Sequence, residues 1–319
     1  MFSKIFGHLL KAAMPLLIAL APLFLMSGCG VFSDLARDNK WHLGSLGTKS
    51  FVSPVKLKVG ILPFRDEVGL GTPEAGPNLS VLMTEKFAEN SNLVMVSPQE
   101  MGQAASSRGI TSELTPEQAI EIGQSLGLNV VMDGSISQVE QIQQRRGWRR
   151  IARFFTSQQG YLDATLTLIA YDTATGLVVS SRAGEGEYRM GSEDKDPFAV
   201  GPTSPSPEAI AEGLELAIED AYYRTLDGLA YTPFKARVLN HSGSTVTIGF
   251  GQDVGLKKGL EFLNLDQAES ISNHIGVSYV LPGKVMARLK VSEVGENSSQ
   301  LEIVEGEVNQ GDYILSWER

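Results

Sequence analysis

The spacing of apolar positions changes several times between residues 55 and 231, and each change marks an element. Residues 55–64 (VKLKVGILPF) begin in strict alternation and become continuously apolar, the pattern of a strand entering a buried sheet. Asp66, Glu67 and Gly69-Leu70-Gly71-Thr72 then form a loop. Leu79, Met83 and Phe87 recur every four residues with Leu82 beside them, which predicts a helix face. Residues 93–96 predict a short second strand. Two helix starts follow. Ser97-Pro98-Gln99-Glu100 and Thr115-Pro116-Glu117-Gln118 each combine an N-cap hydroxyl, a proline in the first turn and a Glu or Gln three residues on. Ala119, Ile120, Ile122 and Leu126 form the second helix's stripe, and Gly127 stops it.

Residues 129–139 predict a strand whose buried part is Val130, Val131 and Met132. Residues 161–171 alternate, with Leu162, Ala164, Leu166, Leu168 and Ala170 on one face and Thr165 and Thr167 on the other. Asp172-Thr173-Ala174-Thr175-Gly176 is a turn, and residues 177–181 return as an antiparallel partner. Residues 191–207 are rich in Gly, Pro, Ser and acids and read as a mobile loop. Ser206-Pro207-Glu208 opens a long helix to about Leu229, striped by Ile210, Leu214, Ala217, Ile218, Ala221 and Tyr222.

Thr232-Pro233 marks a change to all-β character. Short strands are expected at residues 235–239, 245–248, 261–265, 283–294, 299–304 and 312–317, separated by Gly, Asn and Ser. Lys258-Gly259-Leu260-Glu261-Phe262 is echoed by Gln310-Gly311-Asp312-Tyr313-Ile314, each placing a glycine just before an alternating strand. The expected fold class is therefore α+β: a mixed sheet flanked by helices, followed by a small all-β barrel-like domain. The division is residues 55–231 and 233–319.

The N-terminal pattern is of another kind. Lys4 and Lys11 precede an uncharged stretch, and the chain's sole cysteine ends Leu25-Met26-Ser27-Gly28-Cys29. This resembles the lipobox of bacterial lipoproteins, with Met26 where Leu is commoner. The resemblance implies a signal peptide over residues 1–28, diacylglycerol on the Cys29 thiol, and a further acyl chain such as palmitate on the new N-terminus. Each buried methylene contributes about 0.8 kcal/mol, so several chains hold firmly where one does not. A retained transmembrane helix and an ordinary secretory signal are the competing readings. Pro15, Pro22, Gly28 and Gly30 make the former a poor helix. Gly30 stands where an Asp would favour inner-membrane retention, so the expected location is the outer membrane, facing the periplasm. Residues 29–54 are polar and aperiodic and read as a tether.

Composition narrows the chemistry. About 290 residues remain after the signal, enough for two domains. A net charge of -10 argues against a nucleic-acid partner. With no thiol after Cys29, the folded part has neither disulfide nor thiolate metal site. His42, His241 and His274 have no metal-ligand spacing, and neither a nucleophile elbow nor a phosphate-binding loop occurs. Asp66-Glu67 beside Gly69-Leu70-Gly71 is an adjacent-acid turn, a weak catalytic signal. The expectation is a protein that is not an enzyme, with no cofactor, no metal and no small-molecule substrate.

One cluster breaks the acidic background: Arg145-Arg146-Gly147-Trp148-Arg149-Arg150-Ile151-Ala152-Arg153-Phe154-Phe155. Trp148, Ile151, Ala152 and Phe155 fall on one helical stripe, with Arg146, Arg149, Arg150 and Arg153 largely off it. Two readings stay open. The helix touches anionic headgroups or an acidic partner, or it packs its stripe on its own domain with the arginines in water.

Residues 55–230 resemble the periplasmic domain of the curli-secretion-channel lipoproteins. The stretches that carry this are Lys58-Val59-Gly60-Ile61-Leu62-Pro63-Phe64-Arg65-Asp66, Asn129-Val130-Val131-Met132-Asp133-Gly134-Ser135-Ile136 and Asp172-Thr173-Ala174-Thr175-Gly176-Leu177-Val178-Val179-Ser180. Penicillin-binding-protein activator lipoproteins and the middle region of flagellar assembly protein T share that fold. Residues 233–319 resemble the small β domain that ends flagellar assembly protein T, through residues 246–251, 255–259 and 283–294. Curli channels insert two hairpins per subunit into the membrane. These would fall near 140–160 and 185–205, and neither window has the alternating apolar strands of a membrane barrel. The resemblances imply an outer-membrane lipoprotein that scaffolds or assembles an envelope machine such as the flagellar basal body. It would have envelope-protein partners and form a homo-oligomer. A curli-like secretion channel and an activator of cell-wall synthases are the alternatives.

Overall fold

The computed structural model describes residues 55–70, 74–109, 114–145, 158–190, 205–266, 270–272, 278–280 and 283–317. Its first sheet contains β1 (Leu57–Ile61), β2 (Arg65–Asp66), β3 (Leu93–Met95), β4 (Val130–Arg145), β5 (Gln158–Asp172) and β6 (Val178–Met190). The order is β3-β1-β4-β5-β6, with β2 beside β4. The β3, β1 and β4 ladders are parallel, while β4, β5 and β6 run antiparallel. Central strand β4 thus joins a parallel half to an antiparallel half.

Helices cover both faces. On one lie α1 (Ala75–Ala88) and α4 (Pro207–Leu229). Leu79, Met83 and Phe87 of α1 and Leu214, Ala217, Ile218 and Ala221 of α4 share a core with Val59, Ile61, Met132, Leu166 and Leu168. On the other face, α2 (Pro98–Ser106) and α3 (Pro116–Ser125) bury Met101, Ala104, Ala119 and Ile122 against Leu62, Val131 and Tyr171. The expected caps form. Ser97 Oγ accepts the Glu100 N–H at 3.2 Å, and Thr115 and Gln118 make a reciprocal capping box.

Helix α4 approaches β6 unusually closely. Ala209, Gly213, Ala217, Ala221 and Thr225 lie four apart on its buried side. A Cβ on Gly186 would come within 2.0 Å of the Gly213 carbonyl oxygen, and one on Gly184 within 2.2 Å of that of Ala217. Small residues on both elements therefore set the helix-to-sheet distance.

Residues 235–317 hold β7 (Lys235–Ser242), β8 (Thr245–Ile248), β9 (Glu261–Leu265), β12 (Val285–Val294), β13 (Ser299–Gly306) and β14 (Tyr313–Trp317). They close a barrel in the order β12-β13-β8-β7-β14-β9, antiparallel throughout. A separate hairpin, β10 (Ser270–Ser272) and β11 (Ser278–Val280), pairs between β9 and β12 in the chain. The echoed glycines have a common backbone role, with φ of 93° at Gly259 and 95° at Gly311, which only glycine adopts readily. Phe234 is fully buried and meets Phe250 and Phe262 edge-on, at ring separations of 4.9 and 6.2 Å.

Sheet and barrel are not separate bodies. One hydrophobic cluster runs from Val55 and Leu57 through Leu229 and Phe234 to Val246 and Phe262. A polar knot accompanies it. Asn129 Oδ1 accepts the Lys58 N–H at 2.9 Å, and its Nδ2 donates to the Lys235 carbonyl at 2.6 Å. Asp172 accepts the Ala174 and Thr175 N–H groups with one oxygen and the Lys235 ammonium with the other. Lys56 N–H donates to Val254 C=O at 2.8 Å.

Three expectations are corrected. Leu82 is 44% exposed, not part of the buried stripe, because 79, 83 and 87 already span the contact. The central strands are longer than predicted, since β4 continues past Val139 to Arg145 and β6 past Ser181 to Met190. The β10–β11 hairpin and β2 are strands of two or three residues, too short for alternation to predict.

The α4–β6 contact yields a paired test. Gly186→Val should destabilise the protein by about 1–3 kcal/mol through overpacking. Gly102→Ala, in α2 with nothing within 4 Å of the added Cβ, should stabilise it by about 0.5–1 kcal/mol. Denaturant melts read both. Equal effects would refute close contact as the constraint.

Candidate functional site

The stretches that carry the family resemblance meet in space. Beyond β1 the chain continues along β4, and the Phe64 ring lies over Gly134, where a Cβ would meet it at 2.6 Å. The next residue, Arg65, pairs with β4 across Ser135 and donates to Asp133 Oδ2 at 2.9 Å. Glu67 approaches the same guanidinium at 3.6 Å. Asp66 points elsewhere, accepting N–H bonds from Val68, Gly69 and Leu70 at 3.2, 2.8 and 2.7 Å. The adjacent acids thus do different things: one folds the glycine loop, the other faces an arginine. The third stretch, at Asp172, belongs to the polar knot.

Asp133 is the most confined charge among Arg65, Asp133 and Glu67, its side chain only 8% exposed. Its Oδ1 and the Arg65 Nε are buried without a hydrogen-bond partner. Burial pushes the Asp133 carboxyl above its ordinary range; Arg65 opposes this and Glu67 adds to it. Burial likewise raises the Tyr171 phenol, with Asp133 contributing. Spacing could not reveal this pair, because its members are 68 residues apart.

Among the candidates from sequence, Arg145 ends β4 in register with Gln158 of β5. Its backbone is strand, not the helix expected from the arginine spacing, because the β4–β5 ladder continues through the mostly polar residues 140–144. Arg146, Trp148, Arg149, Arg150, Arg153 and Phe155 lie outside the described residues, as do Cys29 and the loop at 191–204. His241 is exposed and bonds the Gly243 carbonyl at 2.8 Å. Among the described residues no group of three His, Cys, Asp or Glu side chains could hold a metal. No described helix is long and apolar enough to cross a membrane.

A groove of about 380 Å³ runs between α1 and α4 on the outer side of the helical layer. Leu82 and Leu216 contribute apolar surface, and Glu85, Glu89, Glu212 and Glu215 are exposed along its rims.

No family description and no curated protein matches the chain. Solved structures overlap about half of it. Lipoprotein GNA1162 from Neisseria meningitidis is 10% identical, with 44% of this chain and 88% of that chain covered at a TM-score of 0.33. The LpoB C-terminal domain from Salmonella enterica is 20% identical, covering 45% and 91% at a TM-score of 0.29. The PelC dodecamer from Paraburkholderia phytofirmans is 14% identical, covering 53% and 87% at 0.28. Overlap of this extent supplies no argument about what this chain does.

The ion pair gives a pH signature. A carboxyl whose folded pKa is raised binds more protons in the folded state, so its contribution to stability falls as pH rises through that pKa. Arg65→Met removes the opposing charge and should steepen the fall, costing about 1–3 kcal/mol at pH 7 for a partly exposed pair and little at pH 4. Urea melts at both pH values check this, and an equal loss at each would refute it.

Proposed function

We propose that this chain is a non-catalytic envelope lipoprotein, held at the periplasmic face of the outer membrane by acylated Cys29, whose fused lobes scaffold the assembly of an envelope machine. The observation that carries this reading is the join of sheet and barrel. A shared core and the Asn129–Asp172–Lys235 knot keep surfaces on the two lobes at fixed separation and orientation. A scaffold needs that property more than it needs a cavity. The polar groups clustered at Arg65 and Asp133 act within the fold: they hold the end of β1 against β4. The resemblance of residues 233–319 to flagellar assembly protein T supports the flagellar basal body as the machine. Copies of the chain assemble with one another and with envelope proteins. Neither nucleic acid, cofactor nor small-molecule substrate enters this reading.

A second reading, a curli-like export pore, gains from one observation. Strands β4, β5 and β6 extend to Arg145, Gln158 and Met190, into the windows where curli channels carry their membrane hairpins. Cryo-electron microscopy of detergent-extracted protein separates the outcomes. A ring without a membrane barrel supports the scaffold, a ring with one supports the pore, and isolated monomers support an activator-type binding module.

The anchor is tested separately. Cys29→Ser should abolish incorporation of labelled palmitate and release the protein from membranes while its melting temperature is unchanged. Palmitate that persists in the variant would overturn the lipoprotein assignment.

A further inference from the structure

The groove between α1 and α4 is an open surface lined from both helices. Leu82, Glu85 and Lys86 of α1 and Glu89 at its C-cap face it from one side, and Glu212, Glu215, Leu216 and Glu219 of α4 from the other. Both rows follow the same spacing of three or four and then seven residues, so each helix presents about 10 Å of one side. Lys86 is committed to Glu89 at 3.2 Å. Glu85, Glu212 and Glu215 have no cation within salt-bridge distance among the described residues. Leu82 keeps 44% of its surface in water between these charges. Acids facing one another across a groove concentrate negative potential, and a cationic, partly apolar ligand relieves both that repulsion and the exposed leucine.

A segment with the complementary pattern lies in the same chain. Arg146, Arg149, Arg150 and Arg153 repeat at three, four and seven residues, interleaved with Trp148, Ile151 and Phe155. Both ends of the connection 146–157 are held together where Arg145 pairs with Gln158. Leu162, against which Gly213 of α4 packs, pairs with Gln141, four residues short of that end. Six residues of extended chain reach about 20 Å. Returning along the sheet from Arg145 to the level of Gln141 uses about 13 Å of that reach, and the helix has still to be passed. A neighbouring copy imposes no such limit.

The geometry points to the α1–α4 groove as the docking site for the arginine-rich segment, residues 146–155, of a second copy of this chain. The contact is heterologous, groove to segment, so it propagates from copy to copy and closes into a ring where the rotation permits. It rests on the reading that copies assemble and gives that assembly its interface.

The test uses the full mature chain carrying Cys29→Ser, in sedimentation velocity at low and high salt. Wild type should self-associate, less at high salt because exposed charges are screened. Glu212→Lys with Glu215→Lys, and separately Arg149→Glu with Arg150→Glu, should each weaken association by about tenfold or more. Mixing the two variants should restore it, since each then offers the surface the other lacks. Unchanged association in both variants would overturn the groove contact while leaving assembly intact. A wild type that is monomeric at every concentration would overturn the assembly reading with it. Restoration only when all four substitutions share one chain would place the segment in its own groove. Loss of binding to anionic phosphatidylglycerol vesicles by the arginine variant, with association unchanged, would assign the segment to lipid. Either of these last results also overturns the contact between copies.

Discussion

Asn129 occupies the position on which the rest of the architecture turns. It stands at the start of the central strand, fastens that strand to β1 through the Lys58 N–H, and reaches across to the Lys235 carbonyl at the first residue of the barrel. Asp172, at the end of the neighbouring strand, completes the tie by accepting the Lys235 ammonium while its other oxygen closes the turn that follows. Buried polar groups of this sort are costly unless every partner is present, so they disfavour alternative arrangements more than they add net stability. The hydrophobic core supplies the attraction between the lobes, and the knot fixes their orientation.

The helical layer obeys a different constraint. With glycine and alanine where α4 meets β6, the distance between backbones is governed by main-chain contact and not by side-chain bulk. Helix α4 has few ways to shift without a steric clash. Its position in turn sets that of α1 through Phe87 and Tyr222, whose rings meet edge-on at 5.0 Å. The width of the outer groove thus depends on glycines on the far side of the helix.

Legibility in the sequence followed the range of the interaction. Helix starts were readable because a cap involves residues three apart, as Ser97 and Thr115 illustrate. Barrel strands were readable because alternation and flanking glycines are local. The outer halves of β4 and β6 were not, since strands beyond the core lose the apolar alternation while keeping their ladder. Leu82 is exposed although it falls beside the stripe, because periodicity gives an angle around the helix but not the width of what it touches. The Arg65–Asp133 pair and the Asn129–Lys235 tie were illegible, their partners being 68 and 106 residues apart. The stretches around Phe64, Asp133 and Asp172 are places where strands, turn and barrel are fastened to one another.

The length of β4 has a mechanical consequence. Its 16 residues form a rod of about 50 Å, from the barrel junction at one end to the arginines at the other. Rungs to β5 run on both sides of a bulge at Ser137, perpendicular to the strand. Tension applied between tip and barrel is therefore carried along the β4 backbone, which those rungs hold extended. Such a strand transmits a pull almost without extension, as a strut does, and passes it directly to Asn129.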